Sequence, residues 1–308
     1  MQEILVSVIV PTYKRKPSFL NRTVDSLLDQ SYKNIEIIIV NDNPPDSDYK
    51  SEINNFIEQE YKEFNNIVLI DNPVNLGGSL ARNKGIEAAN GEYITFLDDD
   101  DIYLTEKIEK QLEFMIQENL DLSFADLIIK NEDEKIIDYR EFSKLSNFET
   151  NNLLRYHLTR HITGTPTFMY KKEKLMEIGG FEKVIMGQEF FLMLRSIEKN
   201  LNIGYFAQAH VVAYRHSSES ISVGKNKIIG EKYLYDYKKR YFHLFNNNEK
   251  KFIKFRHYAV MAVANKRDGK ILDSAKNVFK MIITSPQDVM AETFGFITKQ
   301  KRMVGKLK

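Results

Sequence analysis

The sequence predicts a doubly wound α/β fold, and three observations carry that prediction. Ile4-Leu5-Val6-Ser7-Val8-Ile9-Val10 and Ile35 to Val40 are near-continuous apolar runs, the pattern of strands buried on both faces of a parallel sheet. Strand and helix signals alternate through the first hundred residues in the order β-α-β-α-β-α-β. Polar clusters follow the strands directly, at the carboxyl ends where ligands sit in such sheets.

The first strand stops at Pro11. Residues 18–30 read as a helix, because Phe19, Leu20, Val24, Leu27 and Leu28 recur at helical spacing. The turn-rich Asn41-Asp42-Asn43-Pro44-Pro45-Asp46 ends the second strand. A helix around 46–63, a strand from Ile67 to Ile70 and a helix over 79–89 follow. Glu92 to Leu97 is a fourth strand that runs into Asp98-Asp99-Asp100-Asp101. Further on, 105–118 reads as a helix, 121–140 as short strand-like runs among charges, 148–160 as a helix and 163–170 as extended. Gly179-Gly180 marks a turn, and 188–198 is a helix with Phe190, Phe191, Leu194 and Ile197 apolar. Residues 203–214 suggest a strand pair. Beyond about 222 the pattern changes to helices rich in Tyr, Phe and Lys, with 256–285 readable as a helical hairpin.

The chain has 308 residues, a prior of roughly two domains at about 150 residues each. Its 43% hydrophobic and 28% charged residues are those of an ordinary soluble protein. With 14 Gly and 7 Pro it is not fibrous or low in complexity, and with no Cys it has no disulfide, thiolate metal site or cysteine nucleophile. That fits an intracellular location. No apolar run approaches the ~18 residues that would span a bilayer, and Met1-Gln2-Glu3 lacks the basic start of a signal peptide. The net charge of +1 hides an asymmetry: residues 1–220 hold 24 basic and 36 acidic side chains, residues 221–308 hold 20 and 7. Such a split suggests two functional regions, with the basic one either docked on the acidic one or facing an anionic lipid or substrate.

Five local features invite chemistry, and each also has a plainer reading. Four consecutive carboxylates repel one another unless cations share them. A strand end opening onto Asp-x-Asp suits Mg²⁺ or Mn²⁺, but also a solvated acidic loop with a helix cap. Asp42, at another strand end, can accept hydrogen bonds from a base or ribose, or simply close a turn. In Asn75-x-Gly77-x-x-x-Ala81-Arg82-Asn83-x-Gly85, Arg82 can face a phosphate or lie on a helix surface. Glu189 begins an apolar helix, where the macrodipole favours its ionised form; it suits a general base or an ordinary first-turn cap. His216, in Tyr214-Arg215-His216-Ser217-Ser218-Glu219-Ser220, can bind a metal, touch a diphosphate or sit at the surface. The other five His show no zinc-type spacing. Neither GxGxxG nor GxxxxGK[ST] occurs, and nucleic-acid modules are missing, so no nucleic-acid partner is expected.

Taken in order, these pieces resemble family 2 glycosyltransferases with the GT-A fold, of the kind that build bacterial polysaccharides. The matching segments are Val6-Ser7-Val8-Ile9-Val10-Pro11-Thr12-Tyr13-x-Arg15, Ser26-Leu27-Leu28-x-Gln30-Ser31-Tyr32 and Glu36-Ile37-Ile38-Ile39-Val40-Asn41-Asp42. The Asn75 to Gly85 segment, Gly91-Glu92-Tyr93-Ile94 and Phe96-Leu97-Asp98-Asp99-Asp100-Asp101 continue it. Ile178-Gly179-Gly180-Phe181 and Gln188-Glu189 leading to Leu192-x-Leu194-Arg195 complete it, over about residues 3–220.

The resemblance implies a GT-A domain over 1–220, with a nucleotide-binding half (1–101) and an acceptor half (102–220), and a basic, mainly helical extension over 221–308. It places Pro11, Thr12, Tyr13 and Arg15 at the nucleoside pocket. Asp42 falls at the base and Arg82 near the nucleotide. Asp98 falls by the ribose, with Asp99 beside it. Asp100 is implied as the metal ligand for Mn²⁺ or Mg²⁺, with His216 near the metal or diphosphate, and Glu189 as the catalytic base. The implied reaction is inverting transfer from a nucleoside-diphosphate sugar, a UDP-sugar by preference, to a glycan or lipid-linked glycan hydroxyl in surface polysaccharide synthesis. The expected place is the cytoplasm, at the inner face of the membrane; the charge of the tail, not the resemblance, suggests that Thr298 to Lys308 (five basic residues, no acidic one) touch anionic lipid there, the alternative being a solvated C-terminus. Two positions depart from the family: Asn41-Asp42-Asn43-Pro44 replaces Asp-Asp-Gly-Ser, and Gln188-Glu189 replaces Glu-Asp. The alternatives are a sugar nucleotidyltransferase, whose Gly-rich signature is missing from Pro11-Thr12-Tyr13-Lys14-Arg15-Lys16, and a non-catalytic binding scaffold of the same fold.

Overall fold

The computed structural model describes residues 4–216 and 225–295. The chain start, Ser217 to Ser220 of the His216 motif and the basic run Thr298 to Lys308 lie outside the described residues. The chain forms two compact units. The first is Met1–Thr150, Ile162–Lys183 and Gln188–Arg215; the second is Asn151–His161, Val184–Gly187 and His216–Lys308.

The opening of the chain alternates as expected: β1 (Val6–Thr12), α1 (Pro17–Leu28), β2 (Ile35–Asn41), α2 (Asp48–Tyr61), β3 (Ile67–Asp71), α3 (Gly78–Ala88) and β4 (Tyr93–Phe96). Then come β5 (Ile102–Tyr103), α4 (Lys107–Gln117), β6 (Leu122–Ala125), β7 (Leu127–Asn131), β8 (Ile136–Arg140) and α5 (Thr150–Arg160). A 3₁₀ turn over Thr165–Thr167 leads to β9 (Met169–Lys171), α6 (Lys172–Glu177), α7 (Gln188–Glu198), β10 (Ile203–Phe206) and β11 (Val211–Arg215). The described chain continues with α8 (Lys225–Lys239), α9 (Asn247–Arg267) and α10 (Ile271–Thr284).

Seven strands form one mixed sheet in the order β10-β6-β9-β4-β1-β2-β3. β1 runs parallel to β2 and β4, β2 to β3, and β6 to β10, while β9 is antiparallel to β4 and β6. Val8, Ile9, Val10, Ile37, Ile38, Ile39 and Val40 have no exposed surface, so the two central strands are covered on both faces. That is why their sequences read as unbroken apolar runs rather than alternating ones. α1 starts with Pro17 in its first turn and buries Leu20, Val24 and Leu27 on one side. α3 rides directly on β1: a Cβ at Gly85 would stand 2.5 Å from Ile9 Cγ2, so only glycine lets the helix approach this closely.

The second sheet has four strands in the order β5-β11-β7-β8. The strands expected over 203–214 both form, but they do not pair with each other. β10 joins β6 in the large sheet, and β11 lies between β5 and β7 in the small one. The extended segment expected over 163–170 is interrupted by the 3₁₀ turn, where Pro166 has no N–H to give to a sheet, and only its end enters β9.

In the second unit α9 opens with a full capping box, Asn246 accepting from the Glu249 N–H and Glu249 from the Asn246 N–H. α9 and α10 form the hairpin expected over 256–285, turning at Gly269. Ile228, Met261 and Ala264 make a small apolar core there. Among the described residues no helix is long and apolar enough to cross a membrane.

Candidate active site

The register of the central strands builds the site. Thr12 lies opposite Asn41 at the carboxyl ends of β1 and β2, and the Asp42 N–H donates to the Thr12 carbonyl at 2.9 Å. Leu97 N–H donates to the Ile9 carbonyl, so β4 also delivers its carboxyl end to the same edge. The turn after β1, Tyr13 to Lys16, is pinned to the turn after β2 by Lys14 N–H donating to Asn43 Oδ1 at 2.8 Å. Pro11 is half-buried, Thr12 buried and Tyr13 exposed.

Asp42 is buried, and both its oxygens are engaged. Oδ1 accepts from Asn72 Nδ2 at 2.7 Å and from the Leu76 N–H at 2.9 Å. Oδ2 accepts from Asn75 Nδ2 at 2.9 Å and from the Gly77 N–H at 2.8 Å. The carboxylate thus organises the loop between β3 and α3. Gly77 ends that loop with φ +83, a left-handed conformation that glycine adopts without steric cost. α3 starts at the next residue and carries Arg82 one turn along.

Arg82 is almost fully buried and sits between two elements. Its Nη2 bonds the Asp98 carboxylate. Its Nη1 donates to the Gly78 carbonyl and to Gln188 Oε1, each at 3.2 Å. Gln188 Oε1 also accepts from Ser79 Oγ at 2.8 Å. Gln188 is the first residue of α7 and Glu189 the second. The amide of Gln188 therefore docks the start of α7 on the first turn of α3 and carries Glu189 with it. The Glu189 carboxylate accepts no hydrogen bond from the described residues. It attracts the partly buried Arg140 of β8, whose guanidinium burial pulls below its usual range while Asp138 and Glu189 oppose that shift and Arg215 adds to it.

The four aspartates behave differently from one another. Asp98 is half exposed and held by Arg82. Arg15 spans the next two, with Nε 3.1 Å from Asp99 Oδ1 and Nη2 2.8 Å from Asp100 Oδ2. Burial pushes the Asp99 carboxyl up to about 7, against the opposing pull of Arg15, and the Asp100 charge adds to the rise. Asp101 is buried beneath them and accepts from the Tyr214 N–H at 2.9 Å; burial and then its acidic neighbours raise it well above the usual carboxylate range. The backbone of the run is fixed from α1, as Arg22 donates to the Asp100 carbonyl at 2.7 Å and Thr23 to that of Asp101 at 2.8 Å.

The sequence-expected residues therefore fall into one linked set in the first unit: Arg15 with Asp99 and Asp100, Arg82 with Asp98, Asp42 behind the loop that starts α3, and Glu189 beside Gln188. His216 follows β11 and is the first residue of that stretch of the second unit. Among the described residues no three His, Asp or Glu side chains converge as a metal cluster. The donor set nonetheless suits a hard divalent cation. The run offers only carboxylate oxygens, and two of its members already share one positive group, the Arg15 guanidinium. The roles of Gln188, Asn43, Asn72 and Arg140 carried no signal of their own in the sequence, apart from the unusual Gln preceding Glu189.

Comparison with known proteins agrees with this architecture. The sequence pattern described as Glycosyl transferase family 2 matches residues 7–179. An uncharacterized glycosyltransferase of Methanocaldococcus jannaschii is 30% identical over 198 residues, which cover 64% of this chain and 66% of that protein. The Escherichia coli protein WfaP, named as a UDP-Glc:α-D-GlcNAc-diphosphoundecaprenol β-1,3-glucosyltransferase, is 38% identical over 128 residues, 42% of this chain and 48% of its own. The chain thus spans less than two thirds of either relative. Among solved structures, S. aureus TarS 1-349 in complex with UDP-GlcNAc matches with a TM-score of 0.58 and 16% identity, over 94% of this chain and 92% of that one, a likeness of fold. The family pattern takes in more than half of the residues, including Asp42, Arg82 and all four aspartates of the run, and the chain belongs to glycosyl transferase family 2.

Proposed function

We propose that the protein is an inverting glycosyltransferase that moves a sugar from a nucleoside diphosphate, UDP by preference, to a hydroxyl of a glycan or lipid-linked glycan. The observation that carries this reading is the Gln188 bridge. It ties Arg82 and, through it, Asp98 to the helix turn that presents Glu189, so an anion-binding group and an uncommitted carboxylate belong to one rigid assembly. The nucleotide carried by TarS and the named donor and acceptor of WfaP support the choice of a UDP-sugar and of a lipid-linked acceptor.

Chemically, the acceptor oxygen attacks the anomeric carbon in line and the bond to the diphosphate breaks, with inversion at that carbon. Glu189 takes the hydroxyl proton, a contribution typically worth ~10²–10⁴ in rate. Arg82 and Arg15 offset the charge that gathers on the leaving diphosphate. Pro11, Thr12, Tyr13 and Asp42 form the edge that receives the nucleoside, with Asp98 and Asp99 beside the ribose. Asp100 would hold Mn²⁺ or Mg²⁺, with His216 as a further ligand, and the ion would neutralise the diphosphate. The basic run Thr298 to Lys308, which lies outside the described residues, would contact an anionic membrane from the cytoplasmic side.

A thermal-shift panel of nucleoside diphosphates and nucleotide sugars with Mn²⁺, Mg²⁺ or EDTA tests the reading, because a ligand of the folded state raises its apparent stability. UDP compounds are expected to shift the wild type in the presence of metal and to leave Asp100→Ala unmoved. A panel with no shift would turn the reading towards a non-catalytic scaffold, and release of pyrophosphate from a nucleoside triphosphate and a sugar phosphate would make the protein a nucleotidyltransferase.

A further inference from the structure

The apolar side of α10 faces away from its own unit. Ile271, Leu272, Val278, Phe279, Ile282 and Ile283 recur at helical spacing and form one stripe. None of them is buried: Leu272 is 79% exposed, Phe279 65% and Ile283 63%. The side turned to α9 is more polar, with Ser274 Oγ donating to the Ala262 carbonyl at 2.8 Å. Helical residues 286–295 continue the pattern, with Met290 and Phe294 exposed. An amphipathic helix ordinarily buries its apolar stripe, and a contiguous exposed patch of this kind marks a surface that something covers.

The charge of the region says what covers it. Residues 221–308 hold 20 basic and 7 acidic side chains. α10 and residues 286–295 carry Lys276 and Lys280 beside Asp273, Asp288 and Glu292, so the basic excess comes from the rest of the region, including Lys299, Lys301, Arg302, Lys306 and Lys308 in a stretch with no acidic residue. Two copies pairing through this face would bring two such basic regions together. An anionic lipid surface supplies the opposite charge and an apolar layer beneath it, the two things an interfacial helix needs.

We propose that α10 and residues 286–295 lie in the headgroup region of an anionic phospholipid bilayer, with the stripe among the acyl chains and the lysines at the phosphates. This deepens the membrane-side reading of the function and takes its purpose, access to a lipid-linked acceptor, from that reading. The anchor is thus an apolar helix face assisted by charge, rather than a basic tail acting alone.

The test is flotation of the full chain, without nucleotide, on vesicles of phosphatidylcholine with or without phosphatidylglycerol. The wild type is expected to float with the anionic vesicles. Leu272→Gln, Phe279→Gln and Ile283→Gln together should lower its partitioning about a hundredfold. Lys276→Glu with Lys280→Glu should lower it about tenfold or more. The triple variant removes only exposed side chains, so its far-ultraviolet circular dichroism and its thermal shift with UDP should match the wild type. A wild type that stays in solution, or a triple variant that floats equally well, would overturn the proposal. So would a wild-type dimer in sedimentation velocity that the triple variant converts to monomer while neither floats. Because the flotation uses no donor, its failure leaves the UDP shift standing and so is distinguishable from failure of the proposed reaction.

Discussion

Arg82 on α3 and Asp98 after β4 form an ion pair in which the guanidinium is buried and the carboxylate half open to solvent. The cation is fixed from behind by the Gly78 carbonyl and Gln188 Oε1, so it cannot follow Asp98 into water. A buried charge with one exposed partner is well placed to exchange or share that partner with an incoming anion. Arg82→Met is expected to weaken UDP binding by about ten- to a hundredfold, the usual worth of hydrogen bonds to a charged group. Arg82→Lys should recover only part, since a point charge cannot serve Asp98 and Gln188 together. Calorimetric titration with UDP reads this directly, and equal affinity in all three proteins would place Arg82 outside the donor site.

Asp42 holds the loop before α3 with four hydrogen bonds. Asp42→Asn keeps one acceptor oxygen and turns the other position into a donor facing donors. The expected cost is about 1–3 kcal/mol, the penalty for unsatisfied buried groups. Denaturant melts and limited proteolysis across residues 72–77 should both report it. An unchanged midpoint and cleavage pattern would mean that the loop keeps its order without Asp42.

Glu189 makes no hydrogen bond to the described residues, so its carboxylate contributes little to holding α7. Glu189→Gln should leave stability within about 0.5 kcal/mol of wild type and should bind UDP normally, while sugar transfer falls ~10²–10⁴-fold. Single-turnover transfer near the wild-type rate would move the base to another residue.

Glu36 offers a pH test of the frame that supports the site. Burial raises its pKa, but hydrogen bonds from Ser7 Oγ, from the N–H and side chain of Asn90 and from the Gly91 N–H outweigh burial, and the net shift is downward from 4.5. A depressed acid stabilises the fold fully above its unfolded value and loses that contribution as pH falls through the folded value. Thermal melts should therefore show a wild-type acid loss beginning below pH 4.5 that is shallower in Glu36→Gln. Parallel profiles for the two proteins would contradict the hydrogen-bonded assignment.

Several features were legible because their signal is local. Ile37-Ile38-Ile39-Val40 reads as a two-sided buried strand because burial on both faces leaves no polar alternation to find. The order of elements to β4 followed from the same kind of pattern, and the carboxyl-end rule then pointed to the edge where Asp42 and the four aspartates stand. The split of β10 and β11 between two sheets was not legible. Both are short apolar runs, and which sheet each joins depends on partners such as Leu122 and Ile128, far away in the chain.

Within the site, the sequence by itself determined which charged groups exist and that four carboxylates must find cations. Only the tertiary structure decided which cation serves which carboxylate. Arg15 reaches Asp99 across 84 residues of chain, Arg82 reaches Gln188 across 106, and the Arg82–Asp98 pair depends on α3 lying flat on β1 through Gly85. The same holds for α10, whose periodicity announces an apolar face but whose exposure depends on how α9 meets it. Periodicity is a property of neighbours along the chain. Pairing and burial are properties of neighbours in space, and those are fixed only when the strands take their order and the helices settle on them.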